Sequence, residues 1–259
     1  MGEPRAKPTV FGVIPTRLGS ARFPRKALAD ETGLPMVVHV LRQASRCRRL
    51  DRVLVAAPEE DLDLLEAVRR HGGEIVATRS DHPNGTSRIA EAMATLDPEG
   101  DPDSIVVNVQ GDEPLIDPAH IDLAVERLEG DPNAGMSTLV CPFSPEEDAA
   151  DPNVVKAVVA ASGRALYFSR AAVPGMRSGE PAPPRLRHLG LYAYRRATLD
   201  HLASLPESPL ERIERLEQLR ALEHGIPIVV GEVDRAEGGI DTPEQYAAFV
   251  ARWRSIGTG

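Results

Sequence analysis

Short apolar runs alternating with helical stretches predict an α/β fold built on a parallel sheet with helices on both sides. Two observations carry that expectation. Thr9–Ile14, Val53–Ala57, Glu74–Thr78 and Ile105–Val109 are nearly continuous apolar runs closed by turn residues, the pattern of strands buried on both faces. Between them, Met36–Arg49, Glu59–His71 and Ser87–Leu96 carry apolar residues at helical spacing, as Leu62, Leu65, Ala67 and Val68 illustrate. Such alternation is the signature of strand–helix–strand units, and folds of that class bind ligands at the carboxyl ends of their strands.

The second half is less regular. Asp117 and Pro118 open a helix that runs to about Leu128, with Asp as cap and Pro at the first helical position. Ala134–Val140, Val154–Ala161 and His188–Tyr194 read as strands, and Pro209–His224 reads as one strong helix. Pro174–Pro184, rich in Pro and Gly, reads as a loop or a mobile tip. There is no internal repeat and no linker that divides the chain, so residues 1–259 are expected to form one domain with two halves, about 8–130 and 131–255.

Composition removes several function classes. A net charge of −9 argues against an extended nucleic-acid footprint, although one basic loop is enough for a mononucleotide. No apolar run is long enough to cross a bilayer, and Val10–Ile14 is too short for a signal-peptide core, so a cytoplasmic protein is expected. Cys47 and Cys141 fit no metal or redox spacing and read as small buried apolar residues.

Four clusters bear chemistry. Pro15 to Lys26 follows the first strand and holds Arg17, Arg22, Arg25 and Lys26 around Gly19-Ser20 with no acid among them. Backbone N–H groups and cations of this kind suit a triphosphate and the charge that builds on a departing pyrophosphate. The loop lacks the Walker pattern, and no Gly-x-Gly-x-x-Gly follows the first strand, which argues against a Rossmann dehydrogenase. Next, Gln110-Gly-Asp-Glu-Pro114 follows the strand Ile105–Val109. It sets Asp112 where an α/β sheet binds ligands, and one or two carboxylates beside phosphates suit Mg²⁺. In the third cluster, Gly238 to Pro243, Thr242, Pro243 and Gln245 form a capping box, which leaves Asp241 free to be a second carboxylate for the same ion or an ordinary turn acid. The fourth is a spread of polar residues: Arg170, Arg187, His188, Tyr192, Glu217 and Gln218. His188, Gly190 and Tyr192 alternate onto one strand face, and Glu217 sits at the margin of an apolar helix stripe through Leu210 and Ile213, pointing towards the protein body.

Together these stretches resemble the 3-deoxy-manno-octulosonate cytidylyltransferase (CMP-Kdo synthetase) family over almost the whole chain. The resemblance is carried by Val13-Ile-Pro with Arg22-Phe-Pro-Arg-Lys26, Asp81-His-Pro-Asn-Gly-Thr-Ser-Arg88 and Val107-Asn-Val-Gln-Gly-Asp-Glu-Pro114. It continues through Asn153-Val-Val-Lys156, Ala165-Leu-Tyr-Phe-Ser-Arg170 and Arg187-His-Leu-Gly-Leu-Tyr192. It ends with Ser208-Pro-Leu-Glu-Arg-Ile-Glu, Leu216-Glu-Gln-Leu-Arg220 and Ile240-Asp-Thr-Pro243. It implies a Rossmann-like nucleotidyltransferase fold, with a mixed, mostly parallel sheet and a second half that extends into a homodimer contact. It implies a Mg²⁺-dependent enzyme that joins CMP from CTP to a small acidic sugar. Pro15, Arg17, Ser20, Arg22, Lys26, Thr86, Arg88, Gln110 and Asp112 would bind the nucleotide. Asp112 and Asp241 would hold Mg²⁺, with Lys26 and Arg22 catalytic beside them, and Gln110, Arg170, His188, Tyr192, Glu217 and Gln218 would hold the acceptor.

The chain departs from the family pattern in the nucleotide half. Arg25 stands where glycine is usual before the loop lysine, Ala57-Pro58 replaces Thr-Asp, and Ser87 replaces an acid. An extra side chain at Arg25 is expected either to narrow the phosphate loop or to add a phosphate contact. Two alternatives stay open at this point: another acceptor such as a phosphonate, and a nucleotide-binding homologue without catalysis.

Overall fold

The computed structural model describes residues 8–144, 147–175 and 184–256. In chain order these form β1 (Val10–Pro15), a 3₁₀ turn (Lys26–Leu28), α1 (Met36–Ala44), β2 (Arg52–Pro58), α2 (Leu62–Arg70), β3 (Glu74–Thr78), α3 (Gly85–Leu96), β4 (Ile105–Asn108) and α4 (Pro118–Gly130). Then come β5 (Met136–Pro142), β6 (Lys156–Val159), β7 (Ala165–Ser169), β8 (Leu186–Arg195), α5 (Arg196–Ser204), α6 (Pro209–Glu214), α7 (Gln218–Glu223), β9 (Ile228–Glu232) and α8 (Pro243–Ile256). They make two compact units, one of residues 8–121 and 237–256, the other Asp122–Ala236.

The first unit carries a wholly parallel sheet in the order β3-β2-β1-β4. β1, β4 and the second half of β2 are buried at consecutive residues, so both faces are covered, as their unbroken apolar sequence requires. α1 packs on β1 and β2, α2 on β2 and β3, and α3 on all four strands. The last segment of the chain returns to this unit. Ile240, Tyr246, Phe249 and Val250 bury against Met36 of α1, with Phe23, Leu115 and Trp253 packed around them. Four of the chain's ten aromatic residues gather here, so α8 is docked by large apolar surfaces.

His39 of α1 is buried in the same cluster, its Nε2 2.7 Å from Thr32 Oγ1 and its ring edge-on to Phe249 and Trp253. Burial, and after it the charge of Arg42, lowers its pKa from 6.5 to about 4. As pH falls the unfolded chain takes up this proton first, so the stability is complete above about pH 6.5 and drains away towards pH 4. We expect this to cost about 3 kcal/mol. Urea melts at pH 7 and pH 4.5 check it: His39→Leu must lose less stability over that interval than the wild type.

In the second unit β5 pairs antiparallel with β8 and parallel with β9, while β6 pairs antiparallel with β7 and β8. The pairing of β5 with β8 slips between Thr138 and Leu139, where Gly190 and Leu191 are extra residues on β8. The mixed sheet and its flanking helices agree with the expected fold class, and α4 starts as expected, with Asp117 Oδ1 accepting from the Ala119 N–H at 2.9 Å.

The structure corrects several expected boundaries. The single helix over Pro209–His224 is two short helices, parted at Arg215, whose φ of 54° is left-handed and ends α6. Ile213 is 76% exposed, so the apolar stripe used to turn Glu217 inward is not a core stripe, and Glu217 is exposed. α1 stops at Ala44 instead of Arg49, and α2 begins at Leu62 instead of Glu59. The strand expected over Val154–Ala161 is only Lys156–Val159. β7, β9 and α5 were not anticipated at all. Most of the loop Pro174–Pro184, residues 176–183, lies outside the described residues. Among the described residues no helix is long and apolar enough to cross a membrane.

Candidate active site

A cleft of about 380 Å³ opens at the carboxyl ends of β1 and β4 in the first unit, where an α/β sheet is expected to bind its ligand. Pro15, Thr16, Arg17, Gly19, Ser20, Arg22 and Lys26 line one side, and Gln110, Gly111 and Asp112 the other. The two loops meet closely: a Cβ on Gly111 would stand 3.0 Å from the Pro15 carbonyl oxygen and 3.1 Å from Thr16 Cβ. Only glycine fits there without moving one loop off the other.

At the cleft's edge three charged side chains from distant parts of the sequence converge. Lys26 Nζ donates to Asp112 Oδ2 at 2.7 Å, to Asp241 Oδ1 at 2.9 Å and to the Ile240 carbonyl at 2.9 Å. The other oxygen of Asp241 accepts from Arg22 at 2.8 Å. Burial pulls the Lys26 pKa down, but the two aspartates more than reverse this, so the ammonium stays charged. Burial likewise would raise Asp241, and Lys26 with Arg22 bring it below the ordinary carboxylate range.

Asp241 arrives by way of α8. The Thr242 Oγ1 accepts from the Gln245 N–H at 3.3 Å and Gln245 Oε1 accepts from the Thr242 N–H at 3.1 Å, the expected capping box, which leaves the Asp241 carboxylate for Lys26 and Arg22. The Ile240 N–H donates to the Asp112 carbonyl at 2.8 Å, so the two acidic loops are stitched by backbone as well. Phe23 packs its ring 5.5 Å from Tyr246, which fixes the cationic loop to the same helix.

The two carboxylates therefore reach one point with hard oxygen donors, and the Ile240 carbonyl lies beside them. Magnesium needs only one or two carboxylates when substrate phosphates and waters complete its shell, so these residues fit it. No group of three or more His, Cys, Asp or Glu arranged for a metal exists among the described residues.

Thr86 and Arg88 do not line the cleft; both are buried in the first turn of α3. Arg88 donates to Thr78 Oγ1 at 2.5 Å and to the Arg79 carbonyl at 3.1 Å. Burial, then the charge of Arg17, lowers its pKa, so these two cations repel each other in a way that an anion would relieve. Gly85 brings that helix start to Pro15: a Cβ there would lie 3.4 Å from the proline ring.

Arg25 explains the family's glycine without obeying it. Its φ of 58° is left-handed, a conformation glycine adopts freely, and its guanidinium turns to Asp63 at 2.6 Å. It is not among the residues lining the cleft.

Sequence reasoning missed the supports. Asp61 Oδ2 accepts from the Leu18 N–H at 2.9 Å and so pins the cationic loop. His82 is buried between Glu91, 2.7 Å from its Nε2, and Ser87, 3.1 Å from its Nδ1, while Asn84 caps α3 by accepting from the Ser87 N–H at 2.9 Å. The density of polar residues from Asp81 to Arg88 was a signal for His82, Asn84 and Ser87, but Asp61 and Glu91 lie outside that stretch.

The remaining polar residues belong to the second unit. His188 Nε2 lies 2.9 Å from Thr138 Oγ1, and its ring is 4.7 Å from Phe168 and 5.4 Å from Tyr192, so His188 and Tyr192 lie side by side, while Gly190 of the expected shared face falls in the register slip. Burial drives the His188 pKa down to about 3, so it is a neutral hydrogen-bonding group, not a cation for a carboxylate. Burial, with help from Tyr194 and Glu217, raises Tyr192 well above its usual value. Arg170 donates to the carbonyls of Glu214 at 2.7 Å and Pro152 at 2.9 Å. Its own carbonyl accepts from Lys156, which is fully buried and also binds the Asp151 and Val154 carbonyls. Arg187 pairs with Glu147 at 2.7 Å. Gln218 is buried, and its Nε2 has no hydrogen-bond partner among the described residues.

A cytidylyltransferase family model matches residues 11–228. The 3-deoxy-manno-octulosonate cytidylyltransferase of Syntrophotalea carbinolica is 45% identical over 256 residues, 96% of this chain and 100% of its own. That of Rhodopseudomonas palustris strain HaA2 is 48% identical over 240 residues, 91% and 94% of the two chains. The solved structure of a CMP:2-keto-3-deoxy-manno-octonic acid synthetase complexed with CTP superposes with a TM-score of 0.88 at 39% identity, covering 96% of this chain and 99% of that one.

Proposed function

The chain belongs to the 3-deoxy-manno-octulosonate cytidylyltransferase family, and from that premise we propose that it transfers CMP from CTP to 3-deoxy-manno-octulosonate, releasing pyrophosphate. The observation that carries the reading is the cationic cleft ending in two aspartates that meet on one lysine.

In this reaction a hydroxyl oxygen of the acidic sugar forms a bond to the α-phosphorus. The bond from that phosphorus to the bridging oxygen breaks, pyrophosphate leaves with the electron pair, and the hydroxyl proton passes to water. Arg17, Arg22, Lys26 and the loop N–H groups offset charge on the phosphates as the leaving group departs. Pro15 and Ser20 shape the wall of the cleft, and Gln110 reaches in from the opposite loop. Arg88 and Thr86 hold the start of α3 behind them. Asp112 and Asp241 would hold Mg²⁺, which when bound supplies Lewis-acid polarisation of a phosphoryl oxygen and eases deprotonation of the attacking hydroxyl.

Arg170, His188, Tyr192, Glu217 and Gln218 form the acceptor set of this proposal. His188 contributes to it as a neutral group, and the Gln218 Nε2, which has no hydrogen-bond partner among the described residues, suits a sugar hydroxyl. We assign the second unit a homodimer contact. Leu166 on β7, 61% exposed, and Ile213 on α6, 76% exposed, lie in that unit; the third large apolar side chain exposed among the described residues, Leu62, lies in the first unit. The cytoplasm, where CTP is made, completes the reading.

Pyrophosphate release with CTP and Mg²⁺ against a panel of acids tests it. Release is expected with 3-deoxy-manno-octulosonate. Release with a phosphonate alone would move the enzyme to another acceptor, and CTP binding with no turnover of any acid would make it a non-catalytic homologue.

A further inference from the structure

We propose that the Lys26 ammonium is a place-holding cation that keeps Asp112 and Asp241 together in the free protein and leaves them only when a triphosphate draws it away, so that the divalent ion enters with the nucleotide and not before it. The inference rests on the two aspartates being the metal site, as proposed above.

The geometry is that of an occupied cation site. Nζ has three protons, and three oxygens receive them: Asp112 Oδ2 at 2.7 Å, Asp241 Oδ1 at 2.9 Å and the Ile240 carbonyl at 2.9 Å. The lysine side chain is only 15% exposed, so these contacts are not loose surface pairs. Arg22 takes the oxygen of Asp241 that Lys26 does not use. Two carboxylates are thus balanced by two cations.

A divalent ion arriving alone must shed part of a tightly held hydration shell and also push aside a lysine with nowhere better to go. Both costs oppose it. A triphosphate changes the balance, because Lys26 and Arg22 line the same cleft and gain phosphate oxygens when they release the carboxylates. The aspartates are then left bare beside new phosphate oxygens, the donor set that magnesium prefers. Coupling of this kind is reciprocal, and its usual size is about 5- to 150-fold in affinity.

The test is Mn²⁺ binding without nucleotide, followed by the electron paramagnetic resonance of free Mn²⁺, on the wild type, Lys26→Met and Lys26→Gln. Both variants are expected to bind Mn²⁺ about tenfold or more tightly than the wild type, within the usual coupling range. The gain is expected to vanish in Lys26→Met/Asp112→Asn. Equal Mn²⁺ affinity in wild type and both variants, or a gain that survives in the double variant, would overturn the proposal. Thermal melts of the wild type give a second readout that needs no variant. Mn²⁺ is expected to raise the melting temperature more with inorganic tripolyphosphate present than the two ligands do separately, and strict additivity counts against the idea. None of these measurements uses turnover, so their failure is distinct from failure of the cytidylyl-transfer reading, which pyrophosphate release decides.

Discussion

Asp112→Asn is expected to lower kcat for pyrophosphate release by about 10²–10³-fold or more while leaving the fold intact. The carboxylate is one of two acids that converge on the Lys26 ammonium, and asparagine keeps its shape while removing its charge. Lys26 retains Asp241 and the Ile240 carbonyl as partners, and Asp112 is partly open to solvent, so the stability lost is about 1 kcal/mol or less. Asp241→Asn is expected to behave alike. Because the pair acts as one unit, the double variant should be little worse than either single one. Steady-state kinetics with thermal melts decide the matter. An Asp112→Asn enzyme that keeps more than a tenth of its activity would remove the aspartate pair from the mechanism.

The sequence made the first unit readable because its strands are buried on both faces and its helices on one, and each condition leaves its own period in the residues. β3 falls on the expected residues, and β1, β2 and β4 differ by one residue at one or both ends. The clusters around Lys26, Asp112 and Asp241 were visible as charges without a local structural task. Their meeting follows from the return of α8 to the first unit, and the aromatic residues of that helix are its only trace in the sequence. Other features left no trace. Arg215 breaks a helix by taking a left-handed φ with a side chain that gives no hint of it, so the run from Pro209 to His224 kept a helical rhythm across the break. Glu217 was turned inward on the strength of Ile213, which faces solvent. The supports at Asp61, His82 and Glu91 bond across turns, at spacings that no periodicity reports. His188 could be placed beside Tyr192 by strand alternation, but its loss of charge depends on burial, which alternation does not measure.

Phe249→Ala is expected to strike stability and activity together, and so to separate scaffold from chemistry. The ring is buried among Met36, Ile240, Tyr246 and Val250, lies edge-on to His39 at 5.2 Å, and stands 6.1 Å from Trp253. Truncating a buried phenylalanine costs about 3–5 kcal/mol, through lost burial and through the cavity left behind. That is a large share of the 5–15 kcal/mol typical of a folded protein, and for a chain of this size it corresponds to a fall of ~10 °C in melting temperature. The damage reaches the cleft because the same helix carries the capping box that sets Asp241, and because Ile240 is both a member of this cluster and a backbone partner of Asp112. Activity should therefore fall as α8 loosens, and should recover on cooling, which Asp112→Asn cannot do. Phe249→Leu, which refills most of the volume, should restore most of both properties. A Phe249→Ala protein that melts within about 2 °C of the wild type, with activity unchanged, would mean that docking of α8 is not what holds Asp241 against Lys26.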